Sequence, residues 1–434
     1  MWRRAATRGI ETVACIGGSV AAVCTAAAAP GEGAEAYSWG YGQLGQLGHP
    51  GEVDHVVPKK VALLSKAKVT MLVSGPAAKS SAAVGADGKV YTFGCGRDGR
   101  LGHGSGLDAV NQDVPKAVAG IKGDAVAAAC GEAHTLVLTA DNRVWSFGKP
   151  RQGRLGRPCG AKEGGVPAVV AGLGGPEAAK LAGVSAGRAH SVAWDASGAL
   201  FAWGAGHDGA PGLGSTADVA VPTRVGGSAL AAATAAGATV VQASCGRDHT
   251  LVLLSNGAVL AMGADDSGQC GTGQAALRHL EPVQVRGLGG PDEGAPRVVR
   301  VLAGDQHSVA ILEDGGAMAW GGNSSGQLAT GDRSDVGIPR RIETTMLEGE
   351  RVVGGAAGGN HTLLLLASGE VLAVGRGRNG QLGRGDTTES VAAYRLEPVR
   401  VESLSRSALG GSRSVTTVAA GSDHSLALVA DSRA

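Results

Sequence analysis

The chain has 434 residues, 74 of them glycine and 16 proline, with hydrophobic residues at 43% and aromatics at only 3%. Glycine without a three-residue period excludes a collagen-like fibre, and so much interior glycine excludes a long-helix protein, since each one costs about 1 kcal/mol against alanine. Thirty-nine basic and 38 acidic residues leave a net charge of +1, far from the basic field that drives nucleic-acid binding, so direct contact with nucleic acid is not expected.

Residues 1–35 read as a leader. Within residues 1–29, Arg3, Arg4 and Arg8 against Glu11 make a local +2, which leaves about −1 for the rest of the chain. Arginine with little acid suits a mitochondrial presequence. A secretory signal shares the basic start and small-residue end and is the second reading; an unprocessed soluble tail is the third. Residues 12–29 are 18 uncharged positions, near the lower limit of a membrane span, and would serve as a weakly hydrophobic inner-membrane anchor. Beyond Cys15 and Cys24, the cysteines are Cys95, Cys130, Cys159, Cys245 and Cys270. An odd number without CxxC spacing argues against a disulfide framework, a zinc site and export. The expected location is the mitochondrial matrix or inner membrane, with nucleus or cytosol as alternatives.

Residues 36–430 carry three motifs, seven times each. The first is aromatic-Gly-x-x-x-x-Gly-Gln/Arg-Leu-Gly, as WGYGQLGQLG from Trp39, FGCGRDGRLG from Phe93 and FGKPRQGRLG from Phe147. Trp203 opens a copy that reads as stretched by two residues, and Met262, Trp320 and Val374 open the rest, at steps of 54, 54, 56, 59, 58 and 54. The second is Gly-x-x-His-Ser/Thr, at His134, His190, His249, His307, His361 and His424; a degenerate copy around Gly75, SGPAAKSS, lacks the histidine. The third is centred on Pro58, Pro115, Pro167, Pro222, Pro282, Pro339 and Pro398.

Each unit reads the same way. A buried strand such as HTLVLT follows the histidine. A turn comes next, at Asp87-Gly88, Asp141-Asn142, Ser197-Gly198, Asn256-Gly257, Asp314-Gly315 and Ser368-Gly369, which predicts two-residue hairpins. A second strand ends on the aromatic-Gly, and a proline-initiated strand and a short strand such as VVQASC complete the unit. Four short strands per repeat, with no helical period, predict an all-β, seven-bladed β-propeller. The run opens on Trp-Gly and ends on Gly-x-x-His, so strands around residues 415–429 are predicted to pair with those around 36–39 and close the ring. Residues 431–434 read as a tail.

The repeat GxxHT…DGxVYxWGxGxxGQLG resembles those of the regulator of chromosome condensation family, across all seven units. The resemblance implies protein recognition through loops on a rigid ring. The founding member is a guanine-nucleotide exchange factor for a Ran-type GTPase, acting through one face and a protruding β-hairpin. No inserted hairpin shows here, since the first-motif aromatic and the proline stay 19 to 24 residues apart in every unit, and no exchange residues are carried over. A plant ultraviolet-B photoreceptor branch clusters tryptophans in Gly-Trp-Arg-His motifs. The matching positions here are Glu132, Arg188, Arg247, Asp305, Gly359 and Ser422, so light sensing is not expected.

Four loops spell G-x-G-x-x-G, at Gly40, Gly94, Gly204 and Gly375, but no helix follows to hold a pyrophosphate, and their periodicity marks them as turns. GNSSG at Gly322 is a sixth copy of the same loop, not a nucleophile elbow. The six histidines fall on different blades, too far apart for one metal, and are expected to bond backbone and lock neighbouring strands. Trp39, Trp203 and Trp320 are expected to pack between blades. No nucleophile, base and oxyanion donors assemble, so the chain reads as non-catalytic, with no cofactor and no metal. A mitochondrial member of such a family resembles assembly factors for respiratory complexes or the mitochondrial ribosome, some linked to GTPases. The alternative is an exchange factor for a Ran-type small GTPase in nucleus or cytosol. Partner contacts are expected where the repeat breaks: Lys79, the Pro211 insertion, and the basic stretch with Arg376, Arg378 and Arg384.

Overall fold

The computed structural model describes residues 34–104, 110–160, 163–274, 276–289, 294–343, 345–347, 349–385 and 394–431. Most of the leader, including residues 12–29, and all but the first residue of the tail lie outside the described residues. Among the described residues, every strand belongs to one of seven four-stranded antiparallel sheets. Blade one spans residues 69–117, two 125–174, three 181–224, four 240–284, five 298–341 and six 352–400. Blade seven is composite: its inner strands are Arg413–Ala420 and His424–Asp431, its outer strands Glu35–Gly40 and His55–Lys60. The seven-bladed propeller read from the repeats is therefore the observed fold.

The second strand of each blade is buried along nearly its whole length, with both faces covered, so it is apolar after its opening His-Ser/Thr or Ser-Ser pair until its last residue. In blade two it is His134–Thr139, every residue buried, and in blade four His249–Leu254, likewise. The core is divided into seven layers that lie between blades. Trp203 of blade three packs with Leu136, Leu138 and Val144 of blade two. Trp320 of blade five packs with Leu251 and Leu253 of blade four, and Trp39 of blade seven with Leu363 and Leu365 of blade six. At the outer edge the repeat prolines lie within the fourth strand, or directly before it in the case of Pro167. A proline has no N–H to offer, so this exposed edge is a poor template for another chain.

The ring closes as the sequence predicts. Strand Glu35–Gly40 pairs with His424–Asp431, from Glu35 opposite Val429 to Gly40 opposite His424. Ala34 is buried here, and Glu35 accepts hydrogen bonds from Lys60 and, at 2.7 Å, from Arg413, so both belong to the blade. Asp431 likewise ends a strand. The ring has two unlike faces. One carries the Gly-x-x-His turns and the glycine-rich loops. The other carries the hairpins between second and third strands, and in blade seven the two ends of the propeller stand where that hairpin would be.

The hairpins differ from the predicted two-residue type. In blade three Gly198 N donates to Asp195 O and Asp195 N to Ala199 O, with only Gly198 left-handed (φ +86°). That is a three-residue loop, a type I turn closed by one left-handed residue. The same bond closes the other five hairpins, with Gly88, Asn142, Gly257, Gly315 and Gly369 in the left-handed place. The repeat pattern gives no sign of helix Ser228–Ala235, an alanine-rich helix of about two turns between blades three and four. Among the described residues no helix is long and apolar enough to cross a membrane.

Candidate protein-interaction face

The six repeat histidines do not bond backbone as expected. Each bonds the Ser or Thr hydroxyl of the next blade: His134 with Ser191, His190 with Thr250, His249 with Ser308, His307 with Thr362, His361 with Ser425 and His424 with Ser81, all at 2.8–3.0 Å. Every one of these hydroxyls donates its single proton to a carbonyl of the preceding blade's glycine-rich loop, for example Ser308 to Gln269 O at 2.8 Å and Ser425 to Gln381 O at 2.8 Å. The hydroxyl can then only accept from the ring, so Nε2 carries the proton and the imidazole is neutral. Burial reinforces this, holding His190, His307 and His424 down to about 3 and His249 and His361 to about 4. The ring lies against the motif glycine. A Cβ on Gly246 would stand 2.1 Å from His249 Cε1, so only glycine fits. Trp39, Trp203 and Trp320 join the same nodes by donating Nε1–H to Gln381 O, Arg154 O and Gln269 O.

One joint lacks this lock. Ser80 takes the histidine position in blade one, pairing with Gly94 as His134 pairs with Gly148. Its hydroxyl is buried with no partner, and Thr135 receives no imidazole. A second belt runs through the turn backbone: Glu132 N to Gly187 O, Arg188 N to Arg247 O, Arg247 N to Gly304 O, Asp305 N to Gly358 O, Gly359 N to Gly421 O and Ser422 N to Ala78 O. Blade one has Pro76 after its motif glycine, and proline has no N–H to give. Both belts stop at the joint between blades one and two.

The side chains of these turns carry the charge of the face. Blades one and two have Arg100 and Arg154 where blades four to seven have glutamine. Gln46, Gln269, Gln327 and Gln381 fold back onto their own loops, each accepting from a backbone N–H two residues earlier. The arginines instead reach across the joint. Arg100 donates to Arg97 O at 2.8 Å, Asp98 Oδ2 at 3.1 Å and Glu132 O. Arg154 donates to Arg151 O at 3.0 Å, Arg188 O at 3.3 Å and Gln152 Oε1. Between them lies a cleft of about 180 Å³ lined by Asp98, Arg100, Glu132, Lys149, Gln152, Arg154 and Arg188. Burial lowers the pKa of Arg154, while Glu132 and Asp98 act to raise it.

Beside the cleft, His207, Asp208 and Asp248 are the one group of three potential metal ligands among the described residues. Arg188 already occupies it. Its Nε lies 2.7 Å from Asp248 and its Nη2 3.3 Å from Asp208 and 2.9 Å from His207. A guanidinium in that place supplies the cation the carboxylates need. Nearer the axis, Asp305 has a buried Oδ1 without a partner. Burial pushes its pKa up to about 7, against the pull of Arg247 and with the repulsion of Asp423, Asp248 and Glu132. Cys95, Cys130, Cys245 and Cys270 are buried and outside any disulfide among the described residues, and burial raises the Cys245 thiol to about 12.

Of the positions expected to contact a partner, Lys79 is exposed on the lengthened turn of blade one. Arg376 sits on the turn face, 3.6 Å from Asp423, while Arg378 and Arg384 are exposed along the loop of blade six. Pro211 is corrected on two counts. It is buried, and it is no insertion. Gly209 N donates to Gly206 O and Gly212 N to Gly209 O, matching Gly45 to Gly42 and Gly48 to Gly45 in blade seven. Ala210-Pro211 thus replaces Gln-Leu in a loop of normal length. Arg100, Lys149 and Arg154 were not among the expected contacts; GRLG in place of GQLG was the signal for the two arginines.

Comparison with known proteins agrees with this geometry. The RCC1-like domain matches residues 106–434, and the regulator of chromosome condensation (RCC1) repeat matches residues 34–77. The chain is 31% identical over 369 residues to the ultraviolet-B receptor UVR8 of Arabidopsis thaliana, covering 85% of this chain and 79% of the receptor. It is 32% identical to the human E3 ubiquitin-protein ligase HERC2, covering 90% of this chain but only 8% of the ligase. It is 27% identical to the secretion-regulating guanine nucleotide exchange factor of Bos taurus, covering 91% of this chain and 72% of that protein. In structure it resembles human WBSCR16 (TM-score 0.75, 22% identity, 92% of this chain and 99% of that one) and yeast RCC1, Prp20, from its complex with Kap60 (TM-score 0.75, 17% identity, 100% and 97%). The five tryptophans among the described residues lie in strands and are buried. With seven closed blades, a shared repeat and a match over most of its length, the chain belongs to the RCC1-like domain family.

Proposed function

We propose that this protein is a non-catalytic interaction scaffold of the mitochondrion, an assembly or biogenesis factor for a respiratory complex or the mitochondrial ribosome that works with a GTPase. The observation that carries this reading is the turn face, where the chemistry repeated from blade to blade is spent on locking blades and the charged side chains that vary between blades are left to recognise a partner. The repeat histidines are neutral and enclosed, and the Cys245 and Cys270 thiols are held protonated by burial, which leaves no activated nucleophile among them. The arginines of the leader support import. Residues 1–35 fused to a reporter are expected to direct it to mitochondria; a diffuse or nuclear signal overturns that location.

The second reading is nucleotide exchange on a Ran-type GTPase in nucleus or cytosol. It is favoured by the likeness to the secretion-regulating guanine nucleotide exchange factor and by the fold shared with Prp20, studied for binding to Gsp1p and histones. Among the described residues no strand lies outside the seven blades, so exchange would have to work without an added hairpin. Release of labelled GDP from mitochondrial and Ran-type GTPases, with and without the full chain, decides it. No acceleration leaves the scaffold reading standing.

A further inference from the structure

We infer that the cleft between blades one, two and three receives acidic side chains from a segment of a partner protein. This rests on the reading of the turn face as an interaction surface and names the chemistry of what it binds. The charge is local. Arg97, Arg100, Lys149, Arg151 and Arg154 gather on two adjacent loops against Asp98 and Glu132, a surplus of three positive charges in a body of about −1. Arg100 and Arg154 are buried and already bonded to loop oxygens. They act as fixed positive charge beneath the cleft. The donors facing outward are Lys149, no closer than 4.0 Å to Asp98, and the exposed Arg97 and Arg151 on the rim.

Size and sign select the occupant. A volume of about 180 Å³ is below the roughly 300–1,000 Å³ of small-molecule sites, so it suits a few side-chain atoms better than a cofactor. The wall carboxylates Asp98 and Glu132 repel a continuous phosphate backbone, yet leave places where single carboxylates meet Lys149 and the rim arginines. Blades four to seven cannot offer this, because their glutamines bring no charge to the equivalent joints.

The test uses the full chain and a fluorescent twelve-residue peptide alternating Glu or Asp with Gly and Ser. Binding by anisotropy is expected, weakening as salt rises. Lys149→Glu with Arg151→Glu should reduce affinity at least about tenfold, while Lys122→Glu, the same kind of change on the opposite face, should not. Circular dichroism confirms that both variants fold. Absence of binding, equal binding by the double variant, or equally tight binding of a single-stranded oligonucleotide that the double variant also loses would each overturn the inference. Affinity capture from mitochondria separates it from the scaffold reading. Partners captured equally by the wild type and the double variant overturn the cleft alone, whereas a wild type that captures none overturns the scaffold.

Discussion

Replacing His249 by alanine tests the lock between blades four and five. The imidazole is wholly enclosed, donates to Ser308 Oγ at 3.0 Å and rests against Gly246. Losing that hydrogen bond costs about 1 kcal/mol, and the hole left by the ring adds about 2–3 kcal/mol. Unfolding entropy of roughly 2.1 cal/mol/K per residue sums to about 0.8 kcal/mol/K for a ring of this length, so Tm should fall by about 4 °C. Ser308→Ala leaves Nε2–H without an acceptor, but Gln269 O keeps Trp320 Nε1–H at 2.9 Å; the expected loss is about 1–2 kcal/mol, near 2 °C. The double variant should cost no more than His249→Ala alone, because the shared bond is lost only once. Ser80→Ala is the counterpart at the unlocked joint. Its hydroxyl is buried and unpartnered, so removal should leave Tm unchanged or raise it. Scanning calorimetry at pH 8 measures all four. Strict additivity of the pair, or a Ser80→Ala loss as large as that of Ser308→Ala, would refute the reasoning.

Acid should unfold the ring cooperatively. The five histidines held to about 3–4, and His134, also lowered, have folded pKa values below their unfolded value of about 6.5. Their stability is therefore full above pH 6.5 and lost as pH falls toward 4, at about 1.4 kcal/mol per pH unit for each histidine. Asp305, raised to about 7, opposes this with a single proton, since ionising it costs stability as pH rises. Circular dichroism retaining a cooperative melt at pH 4 would contradict this. Arg100→Gln with Arg154→Gln should change Tm by less than about 2 °C, because glutamine satisfies its own loop in four other blades, yet it should abolish acidic-peptide binding. Deleting residues 1–40 removes the third strand of blade seven, with buried Ser38 and Trp39, and should abolish the cooperative calorimetric transition.

Blade number and closure were legible because three motifs keep one register, and a register needs no knowledge of contacts. The lock was half legible. Each histidine is followed by the Ser or Thr that serves the preceding blade, but donor and acceptor lie 55 to 64 residues apart in the five locks along the chain and 343 apart across the closure, so only the ring's geometry joins them. The frame of the blade-three loop was misread because GLG at residues 212–214 imitates the motif's end. The spacing of Gly206, Gly209 and Gly212 was the sounder guide. Hairpin type escaped because Asn and Gly suit the left-handed residue of either turn. The basic cleft was overlooked because Arg and Gln are interchangeable in the repeat pattern, although one carries charge across a joint and the other does not.

The composite blade also fixes a direction. The described chain enters the ring at Ala34 on the hairpin face, beside strand His424–Asp431, while the arginine cleft opens on the other face. Anything that tethers the amino-terminal end, whether a lipid bilayer or a larger assembly, would present the cleft away from the tether, like a cup held by its base. A partner arriving from the aqueous side would then meet the basic loops of blades one and two directly.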